Sequence, residues 1–395
     1  MTLTASALAG GPPLFLLTAG LSHTIASTIA AAGAVAFAAT LLVTLLARFD
    51  LVLRLRRPSR PGRQRGEEQP RVGGLAVLCG FSAAILLVSG FSHTAEQLLA
   101  PHWRPLGMLT LAGLVVFGVG LWDDARELGY LPKLLALLLG AGLVFAAGFR
   151  FGELPMPWGA WRLGLLDGPL TVLWLLLLAN AINLIDGKDG VATGIAFFAS
   201  GSLAIIAFDL RHPLVSLLYA ALAGAALGFL PFNLPTARRY LGDSGALLLG
   251  FLIGALSLAG FIDGTGRIPA TLPAIALGFP ILETILALAR RLLDLRHPFH
   301  YDRDHIHDRL ERAGLGPVAL VVATYVGGGA FAAAALAVHF ARNTLWASLS
   351  FTAVVAAAIA ALVWLGYATT LWESRLLSLV RRRLGLPRAS RPAGR

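Results

Sequence analysis

The sequence predicts an all-α polytopic integral membrane protein with about 11 transmembrane helices, its N-terminus outside and its C-terminus cytoplasmic. Three observations predict it. The 395-residue chain is 57% hydrophobic, has a mean hydropathy of +0.75 and is only 13% charged, about half the charge of a soluble domain. Apolar runs recur, most of them near the ~20 residues that span hydrocarbon. The basic residues concentrate on alternate connecting segments.

The apolar runs lie at 24–46, 72–91, 106–122, 132–149, 170–182, 190–208, 213–230, 244–262, 272–290, 318–340 and 344–366. With the N-terminus outside, the cytoplasmic segments are 48–71, 123–133, 183–189, 231–243, 290–317 and the tail from 367. They hold 26 of the 32 Lys and Arg. That asymmetry sets the orientation and favours an odd helix count. Residues 1–366 therefore read as one transmembrane domain and 367–395 as an Arg-rich cytoplasmic tail. No Lys or Arg precedes Arg48, which argues against a cleaved signal peptide. The net charge of +11 sits in juxtamembrane clusters such as "RLRRPSRPGRQR", suited to a lipid bilayer and not to nucleic acid. A lone cysteine, Cys79, excludes an intrachain disulfide.

A carboxylate against hydrocarbon costs several kcal/mol, so each needs a reason. Four polar clusters all fall on the cytoplasmic side. "GVGLWDDARELGYLPKLL" carries Asp123, Asp124 and Lys133. "NAINLIDGKDG" carries Asn180, Asn183, Asp186, Lys188 and Asp189, and reads as a polar hinge over 180–189. "FLPFNLPTARRYLGDSGALLLG" carries Asn233, Tyr240 and Asp243. "HPFHYDRDHIHDRL" carries Arg303, His305, His307 and Arg309. Asp and Asn oxygens suit a hard cation such as Mg²⁺, with Mn²⁺ the second candidate. Arg, His and Lys are anion binders. Carboxylates, a divalent cation and basic groups at one membrane face point to phosphoryl transfer.

These motifs, in this order with spans between them, resemble the polyprenyl-phosphate N-acetylhexosamine-1-phosphate transferases, a family that includes the phospho-MurNAc-pentapeptide translocases. "PRVGG" at 70–74 resembles the segment that opens the second helix there. The resemblance implies an undecaprenyl phosphate acceptor and a UDP-N-acetylhexosamine donor, with UMP released, and it allows a homodimer. By position it assigns Asn183 and Asp243 to Mg²⁺, and Asp123, Asp124 and Lys133 to catalysis, Asp123 as base. It assigns Asn180, Asp186, Asp189, Asn233, Tyr240, Arg303, His305, His307 and Arg309 to the substrates. A phosphate monoester loses its second proton near pH 6, so Asp123 has little to deprotonate at neutral pH. Four residues depart from the family pattern: Lys188, Glu127, Ala246 and Asp308. Lys188 and Lys133 are the chain's two lysines, and Lys188 reads as an ammonium kept beside the nucleotide.

Three other readings compete. A transporter or flippase for an anionic lipid also carries intramembrane carboxylates, but near the bilayer midplane. A phosphotransferase using CDP-activated donors would need an aspartate pattern that the sequence lacks. A non-catalytic scaffold would not need Asp123, Asp124, Asn183 and Asp243 together.

Overall fold

The computed structural model describes residues 14–47, 71–156, 159–259, 270–297, 304–341, 343–372 and 374. In chain order the helices are α1 (Leu14–Leu46), α2 (Gly73–Phe91), α3 (His93–Leu99), α4 (Trp103–Arg126) and α5 (Tyr130–Ala146). After a short hairpin come α6 (Asp167–Ile185), α7 (Val191–Asp209), α8 (Pro213–Asn233) and α9 (Gly242–Leu256). The chain closes with α10 (Thr271–Ala276), α11 (Gly278–Leu293), α12 (Ile306–Arg312), α13 (Pro317–Phe340), α14 (Thr344–Trp364) and α15 (Tyr367–Trp372). Every apolar run of the sequence carries helix. Eight of the described helices are long and apolar enough to cross a membrane, and α5 and α9 are shorter apolar helices.

Three local expectations change. The run 272–290 is two helices meeting at Leu277 rather than one. Pro280 explains the break: it has no N–H for the carbonyl four residues back, and its ring would press on that carbonyl, which is Ala276. Helix α6 extends past 182 to Ile185. Asn180 folds its amide back onto the Leu176 carbonyl at 2.8 Å, so it accompanies the helix instead of ending it. The hinge is therefore 186–190, shorter than the 180–189 expected. The third departure is a two-stranded antiparallel hairpin, β1 (Glu153–Met156) with β2 (Gly159–Arg162), which an all-α reading omits.

Small residues bring the helices close, as membrane bundles require where hydrocarbon offers no solvent drive. Gly224 and Gly228 of α8 face the backbone of α1 at Gly33 and Phe37, where any Cβ would collide. Gly74 of α2 and Gly120 of α4 press likewise on Ser244 at the start of α9. Helix α9 is consequently central: every residue in it is buried except Asp243. Helix α14, by contrast, has no buried residue in its apolar stretch. Gly250 and Gly254 of α9 run antiparallel along α6 at Leu178 and Leu175. The end of α6 bearing Asn183 and the start of α9 bearing Asp243 therefore lie on one side of that crossing.

Candidate active site

The site is built on the first turn of α9. A helix start leaves backbone N–H groups without partners inside the helix. Here Asp124, from the last turn of α4, supplies them. Its carboxylate accepts the backbone N–H of Asp243 at 3.0 Å and of Ser244 at 3.0 Å, and the Ser244 hydroxyl at 2.7 Å. Arg71 Nη1 donates to the same carboxylate at 3.1 Å. Asp124 has no exposed side-chain surface. Gly242, with φ +75°, must be glycine because a side chain there would both strain the backbone and strike Asp124. Sequence reasoning placed Asp124 in catalysis; the structure gives it the work of fixing Asp243.

Asp123, one residue earlier, points elsewhere. It accepts the Leu128 N–H at 2.6 Å and pairs with Lys133 Nζ at 2.9 Å. Lys133, in the first turn of α5, donates also to Asp243 and so lies between two carboxylates. Asn183, at the end of α6, and Asp186, just past it, have no side-chain hydrogen-bond partner among the described residues. Burial, then the negative charges of Asp243 and Asp124, push the Asp186 carboxyl well above its ordinary pKa.

Four carboxylates (Asp123, Asp124, Asp186 and Asp243) face two cations (Arg71 and Lys133). Fully ionised, the group carries two excess negative charges, the charge of one divalent cation. No group of three or more His, Cys, Asp or Glu placed to hold a metal occurs among the described residues. Mg²⁺ does not require one, since it keeps several waters and is completed by substrate phosphates. The residues present therefore fit Mg²⁺, with Asp243 and the unpartnered Asn183 amide as oxygen donors.

The remaining sequence-assigned residues divide. Asp189 accepts the Ala237 N–H at 3.0 Å. Asn233 makes three bonds: its oxygen takes Gly190 N–H at 3.2 Å and Thr193 Oγ1 at 2.8 Å, and its nitrogen donates to the Arg239 carbonyl at 3.1 Å. These two residues shape the 186–190 hinge, and the second carboxylate oxygen of Asp189 and the second amide N–H of Asn233 are not used in these bonds. Asn180 uses one amide N–H on its own helix, as above, and its amide oxygen is not part of that bond. Tyr240 pairs its backbone with Arg71 in an isolated β-bridge. Arg303 lies outside the described residues.

His305 and His307 do meet the hinge. Their rings stack at 5.3 Å, and the His307 ring lies against Gly187, where a side chain would collide. Burial, opposed by Asp308 and assisted by His305, holds the His307 pKa below its usual value, so it favours the neutral imidazole. Asp308, where the family pattern has another His, accepts the His305 N–H at 3.2 Å and caps α12. Arg309 is not the open anion binder expected. It is bound to Asp304, to the Leu365 carbonyl at 2.9 Å and to Thr370 Oγ1 at 2.8 Å, and it lies 3.8 Å over the Tyr367 ring. Burial acts to raise the Asp304 pKa, but Arg309 and Arg312 outweigh it and hold the carboxyl below its usual value.

Two residues escaped the sequence reading. Glu283 of α11, 1% exposed, meets His305 Nδ1 at 2.7 Å and accepts the Ile306 N–H at 3.0 Å. It was visible as the lone carboxylate within an apolar run. Arg71 was visible only as part of "PRVGG".

Lys188 also departs from expectation: its ammonium bonds Glu311 at 2.5 Å, joining the hinge to α12. The pair is partly exposed, 29% and 59%, and exposed pairs contribute at most about 1 kcal/mol. We expect Lys188→Leu to leave the thermal unfolding midpoint within a few degrees and the donor KM within about threefold. Steady-state kinetics check this; a donor KM raised tenfold or more would show that the ammonium serves the substrate after all.

Fold and site together define a polytopic membrane protein whose charged groups meet where helix ends converge on one side. Residues 106–261 match the family described as glycosyl transferase family 4. The chain is 34% identical over 282 residues to the probable undecaprenyl-phosphate N-acetylglucosaminyl 1-phosphate transferase of Bacillus subtilis, covering 71% of this chain and 75% of the relative. It is 31% identical over 319 residues to the decaprenyl-phosphate N-acetylglucosaminephosphotransferase of Mycobacterium tuberculosis, covering 74% and 78%. The phospho-N-acetylmuramoyl-pentapeptide-transferase of Heliobacterium modesticaldum is 32% identical over 302 residues, covering 72% and 87%. The chain belongs to glycosyl transferase family 4.

Proposed function

We propose that the chain transfers N-acetylhexosamine-1-phosphate, GlcNAc-1-phosphate foremost, from a UDP-sugar to undecaprenyl phosphate. The reaction takes place at the cytoplasmic face of the inner (plasma) membrane and begins a cell-envelope polysaccharide. A phosphate oxygen of the lipid attacks the phosphorus bonded to the sugar oxygen. The bond from that phosphorus to the bridging oxygen breaks, UMP leaves with the electron pair, and a lipid-linked pyrophosphate remains. The observation that carries this reading is Lys133 set between Asp123 and Asp243, with Asn183 and Asp186 unpartnered at the same end of the bundle. The names of the relatives and the concentration of basic residues on one side support the substrates and the face.

Asp243 and Asn183 are the residues that would hold Mg²⁺, whose contribution is to neutralise charge on the diphosphate. Lys133, held by Asp123 and Asp243, has a third N–H that would serve a phosphate oxygen. Asp123 keeps Lys133 and orients the acceptor; a dianionic lipid phosphate has no second proton for it to take. The Glu283–His305 pair and His307 lie together beside the hinge, with His307 against Gly187.

The test is UMP release by the purified full-length chain given undecaprenyl phosphate and a panel of UDP-N-acetylhexosamines, with Mg²⁺ or with EDTA. We expect release from UDP-GlcNAc that needs both lipid and metal. A folded protein that yields no UMP with any donor defeats the reading and favours the transporter.

A further inference from the structure

Arg71 is held at the site by backbone as well as by charge. Its main chain bridges Tyr240. The two residues that follow Val72 donate to the same strand, Gly73 N–H to the Tyr240 carbonyl at 3.1 Å and Gly74 N–H to the Leu241 carbonyl at 3.0 Å. Arg71 is thereby fixed two to three residues upstream of Asp243 on an adjacent extended segment. Its side chain, 23% exposed, uses one nitrogen, Nη1, on Asp124. Among the described residues it makes no other hydrogen bond. A guanidinium carries five N–H donors in a planar fork suited to phosphate, so most of its capacity is open. Asp124, Asp186 and Asp243 all feel its charge.

The other basic side chains described above are committed. Lys133 is shared by two carboxylates, Lys188 is on Glu311, and Arg309 is enclosed by Asp304 and Tyr367. We propose that Arg71 is a substrate-binding residue of this reaction: anchored to Asp124 through one nitrogen, it presents its free N–H groups to a phosphate oxygen beside Asp243. The assignment rests on the phosphotransfer reading above. The phosphate belongs either to the lipid acceptor or to the diphosphate of the donor, and the two are separable by kinetics.

The experiment uses the full-length chain with Arg71→Ala and Arg71→Lys, after wild-type UMP release has been established. Absence of wild-type turnover would count against the transfer reading itself, which keeps the two failures apart. With Arg71→Ala we expect kcat/KM to fall roughly a hundredfold, with partial recovery on adding millimolar guanidinium. A raised KM for undecaprenyl phosphate assigns the fork to the acceptor, and a raised KM for the UDP-sugar assigns it to the donor. Arg71→Lys keeps the charge and the tie to Asp124 but loses the fork. It should melt like wild type and still show a KM raised about tenfold for one substrate, so the assignment stays testable where the Ala variant does not fold. Wild-type KM values for both substrates in Arg71→Lys would overturn the proposal and leave Arg71 as a structural tie.

Discussion

Replacing Asp243 with Ala is expected to reduce UMP release by about a thousandfold, the scale seen when a group stabilising transition-state charge is removed. The same variant should melt close to wild type. Asp243 is the single residue of α9 that is not buried, so truncating it opens no cavity in the core. It also sits among Asp123, Asp124 and Asp186, and its loss relieves repulsion that Lys133 and Arg71 offset only in part. Lys133 retains Asp123 as a partner at 2.9 Å. Activity titrated against Mg²⁺, together with thermal unfolding in detergent, checks both halves. A variant that melts normally and keeps more than a tenth of wild-type turnover would remove Asp243 from the chemistry.

The neighbouring carboxylate should behave in the opposite way. Asp124→Ala leaves the N–H groups of Asp243 and Ser244, the Ser244 hydroxyl and the Arg71 guanidinium without their acceptor in a buried place. Removing one partner of a buried charge pair costs about 3–5 kcal/mol, because the other groups stay desolvated. We expect a clear drop in the unfolding midpoint and lost activity that excess Mg²⁺ does not restore. Asp124→Asn should fail similarly, since its NH₂ would face a donor. Asp123→Asn is the control: it should unfold normally and lose turnover, because its carboxyl meets Lys133, one loop N–H and the Asp243 carboxyl, while the N–H groups at the start of α9 stay on Asp124. If Asp124→Ala melts like wild type, Asp124 does not fix the start of α9.

The membrane fold was legible because long apolar runs and one-sided basic residues are composition signals that need no tertiary information. The gathering of Asp123, Lys133, Asp186 and Asp243 was legible too, because each is a charge that hydrocarbon would penalise and all fall on one side. What the sequence hid was how each group is spent. Arg309 reads as an anion binder beside two histidines, yet the fold brings it Asp304 and the Tyr367 ring. Asn233 reads as a ligand residue, and the fold also ties it to Gly190, Thr193 and Arg239. Asp123 and Asp124 are adjacent and identical, and only the α9 backbone distinguishes the one that meets Lys133 from the one that caps the helix. The broken helix at Leu277 was signalled by Pro280, whereas the hairpin at 153–162 is too short for alternation to announce.

The bonds of Asp124 also bear on how the protein is made. Its first partner, Arg71, precedes it by 53 residues, but the Ser244 donors arrive 120 residues later. At translation speeds of roughly 5–20 residues per second, about ten seconds separate the two events. Throughout that interval α4 carries an incompletely paired carboxylate at its end, and the bundle lacks its central helix. A nascent chain halted before α9 cannot bury this charge correctly. Such fragments should be recognised and degraded by membrane quality control, while chains halted after α9 already contain the assembled carboxylate cluster.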